Sequence, residues 1–151
     1  MKKVIVLSVV LFASVIAMNA QPRAIGLRLT WGGELSYQHG FGEGNMLQLD
    51  LGLAGINGLQ LTGVYNWVFP ISSGDWKWYV GPGAGVGFYA WGESHYLFAG
   101  IAGMIGIEYN FKIPLQLSLD YRPLIGYGFG DGAGFYKPGF YSAAFSIRYR
   151  F

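Results

Sequence analysis

The last eleven residues alternate without interruption. Tyr141, Ala143, Phe145, Ile147, Tyr149 and Phe151 take one parity, and Ser142, Ala144, Ser146, Arg148 and Arg150 take the other. Successive side chains of a strand point to opposite faces, so a period of two makes one face apolar and the other polar. The pattern recurs upstream. Leu115, Leu117, Leu119 and Tyr121 oppose Gln116, Ser118, Asp120 and Arg122, and Leu47, Leu49, Leu51 and Leu53 oppose Gln48, Asp50 and Gly52. Gly interrupts any helical reading, while Val, Ile, Tyr, Trp and Phe favour strands. The spacing predicts eight strands, at residues 24–31, 34–41, 46–53, 58–69, 76–91, 95–111, 115–128 and 140–151. Each connection carries Gly, Pro, Asn or Asp, the usual turn chemistry.

Charge obeys the same parity. The apolar set also contains Ile25, Leu27, Leu29, Trp31, Leu35, Tyr37, Leu59, Leu61, Tyr65, Trp67, Trp76, Trp78, Val80, Ile101, Ile105, Ile107 and Tyr109, and it holds no Asp, Glu, Lys or Arg. The opposite set holds nine charges: Arg28, Glu34, Asp50, Lys77, Glu108, Asp120, Arg122, Arg148 and Arg150. Arg23, Glu43, Asp75, Glu93, Lys112, Asp131 and Lys137 fall at turns or strand ends.

Alternation alone does not say which face is inside. A soluble barrel is apolar within, and a membrane barrel is inverted. Three features favour inversion. Charged residues are only 12% of the chain, where a soluble domain has about a quarter. Aromatics gather at strand ends. Trp67, Phe69, Trp76, Trp78, Tyr109, Phe111, Tyr149 and Phe151 lie toward one end, and Trp31, Tyr89, Trp91, Tyr96 and Phe129 lie nearer the other, as in two interfacial girdles. The polar set is also close to charge balance, as a self-neutralising interior requires. A charge facing mid-membrane lipid costs about 2–4 kcal/mol, which accounts for a charge-free face. In lipid the backbone must satisfy its own hydrogen bonds, so the sheet must close.

The N-terminus reads as an address. Lys2 and Lys3 precede the apolar run Val4 to Met18, and Asn19-Ala20 then meets Gln21-Pro22. This is the layout of a secretory signal peptide. Residues 1–20 are expected to be cleaved, leaving one domain, 21–151, in the barrel. Without Lys2 and Lys3, the ten basic residues fall to eight against eight acidic ones, so no basic patch for nucleic acid remains. There is no Cys and there are two His, which excludes a disulfide framework, a thiolate nucleophile and a multi-His metal site.

The leader, the eight alternating segments and the ending Arg148-Tyr149-Arg150-Phe151 together resemble the small eight-stranded outer-membrane β-barrels of Gram-negative bacteria, the OmpA/OmpX-like class. The likeness covers the whole mature chain. Ile107 to Phe111 and Pro114 to Pro123 are similar to a Gly- and aromatic-rich subgroup whose function is generally unassigned. The resemblance implies an all-β, antiparallel, up-and-down transmembrane barrel in the cell outer membrane. It also implies that Tyr149 and Phe151 form the signal read by the assembly machinery. Outer-membrane lipids, that machinery and periplasmic chaperones are the implied partners, with a monomeric barrel and no cofactor.

Three features strain this reading. Only 129–139 is a loop of any length. Pro82 interrupts the fifth strand, and a bulge between Gly81 and Gly83 with a flip of faces beyond it is expected. Gly32-Gly33 implies a three-residue turn, and a single strand over 24–41 would leave seven strands.

Candidate chemistry is sparse. Gly85 to Ala90 matches a dinucleotide-binding pattern but lacks the strand–turn–helix context that motif needs. Gly81, Gly83, Gly85 and Gly87 are expected to face the lumen and make room for long side chains. The nine charges are expected to form a salt-bridged interior completed by Gln38, Gln48, Gln60, Thr62, Asn66, Tyr79, Asn110, Gln116 and Ser118. An eight-stranded barrel is just wide enough for its own side chains. A narrow channel for water or small ions is the first alternative. A lipid A-modifying enzyme using Glu93-Ser94-His95, with Ser142 as a distant partner, is the second. A soluble periplasmic carrier of apolar ligands is the third. Asp131 to Lys137 is the candidate exposed binding loop. The expected function is a structural or interaction role without catalysis.

Overall fold

The computed structural model describes residues 23–30, 32–42, 44–53, 58–72, 74–130, 133–136 and 142–151. The expected leader, and Trp31 of the expected girdle, lie outside the described residues. Ten strand segments run in chain order: β1 Arg23–Leu29, β2 Gly33–Phe41, β3 Asn45–Leu53, β4 Gly58–Pro70, β5 Trp76–Trp91, β6 Ser94–Asn110, β7 Leu115–Tyr121, β8 Leu124–Gly130, β9 Gly134–Tyr136 and β10 Ala143–Arg150. Each of β1 to β6 pairs antiparallel with the next, β6 pairs with both β7 and β8, and β10 joins β7 to β1.

These segments make eight walls. β7 and β8 are one strand on β6, interrupted only at Arg122-Pro123. Ile105 faces Tyr121 and Ala102 faces Leu124, so the register continues across the break. β9 pairs with β8, and β10 with β7, as two parts of the returning last strand. β1 and β2 are separate strands joined by three residues, since Leu29 pairs with Gly33. The result is a closed, eight-strand, up-and-down antiparallel barrel.

Closure is staggered. From Leu115, paired residues lead through Tyr149, Ile25, Tyr37, Leu49, Gly63, Ala84 and Ile101 to Ile125, ten residues further along the starting strand. With a rise of about 3.3 Å per residue and about 4.8 Å between strands, this stagger tilts the strands by about 40°.

The faces follow the sequence parity. Leu27, Leu35, Leu51, Leu61, Ile105, Leu119 and Ile147 are exposed, while Arg28, Ser36, Gln48, Asp50, Ser118, Asp120 and Arg148 are buried. The lumen is therefore polar and the outer surface apolar. Leu49, Leu119, Phe145 and Ile147 face outward rather than into the lumen.

The interior is uneven around its circumference. Buried polar groups come mainly from β1, β2, β3, β4, β7 and β10, among them Gln60, Thr62 and Asn66 of β4. Val64, Tyr79 and Met104 of β4, β5 and β6 pack with Met46 as an apolar cluster, and Phe98 and Leu124 are also buried.

Four expectations are corrected. Pro82 produces neither a bulge nor a flip. Trp76 pairs with Tyr109 and Trp91 with Ser94 in one unbroken register, and Pro82 sits opposite Gly103 on the outer face. Gly103 N–H donates to Pro123 O, so Gly103 turns its backbone groups toward β8. Pro82 therefore turns its nitrogen toward β4. There the assigned pairing lapses between Val64–Gly83 and Trp67–Val80 and resumes in the same register. The proline removes a ladder donor and leaves the register of β5 on both neighbours unchanged.

The glycine run does two jobs rather than one. A Cβ at Gly81 would overlap the carbonyl oxygen of Tyr65, and one at Gly83 that of Gly63, so these glycines admit neighbouring backbone. Gly85 and Gly87 make side-chain room, for Leu124 at 3.0 Å and Tyr89 at 2.7 Å.

Tyr89 and Tyr96 are not outward girdle residues. They stack on each other inside the barrel, at 5.1 Å between ring centroids. Finally, residues 129–139 are not one loop. β8 runs to Gly130, and Gly134–Tyr136 returns beside it as β9. The register changes by two residues along this last strand. Gly126 pairs with Tyr136 and Tyr121 with Ala143, so five steps in sequence from Gly126 back to Tyr121 correspond to seven from Tyr136 to Ala143.

Candidate functional site: the filled lumen and its two mouths

The parity of β1, β2, β3 and β7 aims Arg28, Glu34, Asp50 and Asp120 at the barrel axis, and Arg122 enters from the break between β7 and β8. These five interlock. Arg28 Nη1 is 2.8 Å from Glu34 Oε2, and its Nη2 is 2.6 Å from Asp120 Oδ1. Arg122 Nη2 is 2.8 Å from Glu34 Oε1, and its Nη1 is 2.5 Å from Asp50 Oδ2. Glu34 thus bridges both guanidinium groups. Gln48 donates to Asp50 at 2.8 Å, Gln38 donates to Gln48 at 2.9 Å, and Arg28 also donates to Ser142 Oγ at 3.1 Å. A buried ion pair holds best where further hydrogen bonds satisfy it, and these amides and hydroxyls supply part of them; Asp50 Oδ1, Asp120 Oδ2 and Arg122 Nε are buried without a hydrogen-bond partner among the described residues.

Arg148 is fully buried but lies outside that cluster. It donates to Ser36 Oγ at 2.8 Å and Ser118 Oγ at 2.7 Å. Glu108 is held lower down by Asn110 and Gln116, each at 3.2 Å. Lys77 is paired across strands with Glu108 and is only partly buried. Arg150 donates through Nη2 to the carbonyls of Phe111 and Ile113 at the rim. The nine expected charges therefore all face inward but form three groups: a five-member ion-pair cluster, an isolated arginine among hydroxyls, and a set near the chain termini.

The two mouths differ. At the end away from the termini, Tyr89, Tyr96 and Tyr136 stack successively at 5.1 and 5.3 Å, nearly parallel. Tyr89 Oη donates to Gln60 Oε1 at 2.5 Å. The rings of Tyr136 and Tyr96 cover Gly128, where a Cβ would meet them at 2.8 and 3.2 Å. At the terminal end, a cavity of about 240 Å³ opens between Arg23, Gln38, Lys77, Glu108, Gln116 and Arg150, with Gly42, Gly74 and Asp75 among its other lining residues. Sequence reasoning placed Arg23 and Asp75 at strand ends and missed this cavity. No periodicity marks residues that meet only because the barrel closes.

The structure places His95 and Ser142 on opposite faces of the barrel wall. His95 is exposed and stacks on outward-facing Phe88 at 6.0 Å, whereas Ser142 is buried and receives Arg28. In the expected binding loop, Phe135 is 87% exposed, but Tyr136 turns inward; residues 131, 132 and 137 lie outside the described residues. Among the described residues, no group of three or more His, Asp or Glu side chains is placed to hold a metal. No protein-family model matches the chain, and no curated protein matches it either.

Proposed function

We propose that this chain is an integral outer-membrane β-barrel of the OmpA/OmpX-like class, exported by an N-terminal leader, with a packed polar interior, no open pore and a structural or interaction role. The apolar outer surface around a charged lumen carries this reading. The outer face of β5 illustrates it: Trp76 and Trp78 stand at one end, Phe88 at the other, and Val80, Pro82, Ala84 and Val86 between. From Trp78 to Phe88 is ten residues, which at a tilt of about 40° spans about 25 Å, the height of an outer-membrane apolar band. Phe41, Trp67, Phe69, Tyr149 and Phe151 extend the aromatic rim at the terminal end, and Tyr127, Phe129 and Phe135 mark the far one. The absence of a pore is supported by the side chains that fill the lumen, with Arg28, Arg122, Arg148, Tyr79, Phe98, Leu124 and Val64 all fully buried. In this orientation the terminal mouth faces the periplasm, and Tyr149 and Phe151 serve as the assembly signal.

Fractionation of expressing cells tests the location, and gel migration with and without boiling tests the closed barrel. We expect recovery in the outer membrane and a mobility that changes on boiling. A soluble periplasmic product whose mobility ignores heat overturns the proposal. Planar-bilayer recording addresses the lumen: we expect no steady conductance, and a reproducible ohmic step identifies a channel instead.

A further inference from the structure

We propose that Met46 is an oxidation site for hydrogen peroxide, and that its sulfoxide loosens the apolar side of the lumen. The site goes beyond the proposed role of the barrel and does not depend on the membrane assignment.

Methionine stands at positions 1, 18, 46 and 104. Met1 and Met18 fall in the expected leader, so the barrel has two. Both belong to the cluster with Val64 and Tyr79. Both are nearly covered, so what separates them is where the remaining opening leads. Met46 lines the cavity at the terminal mouth, and among the described lining residues it is the one methionine. Its cross-strand neighbour on β2 is Gly40, which lines the same cavity and has no side chain to cover it. Exposed Gly42, Gly74 and Asp75 leave that cavity open to solvent. Met104 sits deeper, and its sulfur already accepts Asn66 Nδ2 at 3.5 Å.

Size and chemistry fit a small peroxide. At about 30 Å³ of liquid per water, a cavity of about 240 Å³ holds about eight waters, and hydrogen peroxide has two heavy atoms. A sulfur lone pair attacks one peroxide oxygen. The S–O bond forms as the O–O bond breaks, and the proton of the transferred oxygen passes to the leaving one, which departs as water. Sulfur is oxidised by two electrons and peroxide is reduced by two. The product is polar, where the thioether was a flexible apolar filler. A sulfoxide that stays in place sets a polar group against Val64, Tyr79 and Met104. One that turns toward the amides of Gln38 and Asn45 leaves a gap in the cluster. Either way the packing of β3 against β4, β5 and β6 weakens inside the lumen.

The test treats the refolded barrel in detergent micelles with hydrogen peroxide and follows oxygen uptake at each methionine by peptide mass. We expect Met46 to gain one oxygen about tenfold faster than Met104, and the two to react at similar rates in the urea-unfolded chain. The oxidised barrel is expected to unfold at a lower denaturant midpoint. Met46→Leu, apolar and of similar volume, removes that shift after the same treatment. Gel mobility without boiling confirms that the variant is folded, and if it is not, the ratio of rates in the parent protein carries the test. Equal rates in the folded barrel overturn the proposal, and so does a folded barrel in which neither methionine reacts. So does an unchanged midpoint after Met46 is oxidised, or the same shift in folded Met46→Leu.

Discussion

Arg122 and Arg28 each meet two carboxylates, and Glu34 touches both. Removing one guanidinium therefore leaves a buried anion short of its partner. For Arg122→Ala that anion is Asp50, whose side chain is fully buried; it keeps Gln48 but loses its counter-charge. We expect Arg122→Ala to destabilise the barrel by about 3–5 kcal/mol, read as an earlier midpoint in denaturant titration of the refolded protein. A different outcome is expected when both members of a pair are replaced by apolar groups. Arg28→Met with Asp120→Leu should cost clearly less than the sum of the two single changes, because neither charge is left buried alone. These charges were legible as inward-facing from parity. Their partners were not, because the ion-pair partners lie on different strands and one of them, Asp120, is 92 residues from Arg28.

Within the elements, alternation gave the faces and nearly all the strands, because the apolar set excludes charge along whole strands. What stayed hidden depends on the neighbouring strand rather than on the strand itself. Pro82 looked like a point of distortion, yet its missing donor faces β4 at one position and the register of β5 on β6 is unaffected. Tyr89 and Tyr96 have inward parity, and their place near strand ends suggested interfacial residues; only the stack with Tyr136 shows their role. Gly134–Tyr136 was too short and too Gly-flanked to stand out as a strand. The glycines of β5 and β6 separate by their surroundings in a way that sequence cannot supply. Gly81→Ala drives a methyl into the Tyr65 carbonyl, whereas at Gly103 nothing lies within 4 Å of a new Cβ. We expect Gly81→Ala to cost about 1–3 kcal/mol or more through displacement of β4 from β5. Gly103→Ala should stay within about 0.5 kcal/mol of the parent by the same denaturation assay.

At the scale of the whole molecule, closure imposes a condition that no single strand obeys on its own. The ten-residue offset on returning to the starting strand is even, so an outward residue meets an outward residue at the last seam. The registers of β9 and β10 differ by two residues, also an even number, and Tyr136 and Ser142 both stay on the inner side. A single residue inserted after Leu49 breaks this condition. It turns Asp50 outward and Leu51 inward, and we expect it to abolish the heat-sensitive folded band on gels. Two residues inserted at the turn after Trp91, where no ladder must be kept, should leave that band intact. Change in chain length is thus quantised along the walls and free at the tips. A lineage of such barrels can drift in loop length one residue at a time, but within its strands it can gain or lose length only in pairs.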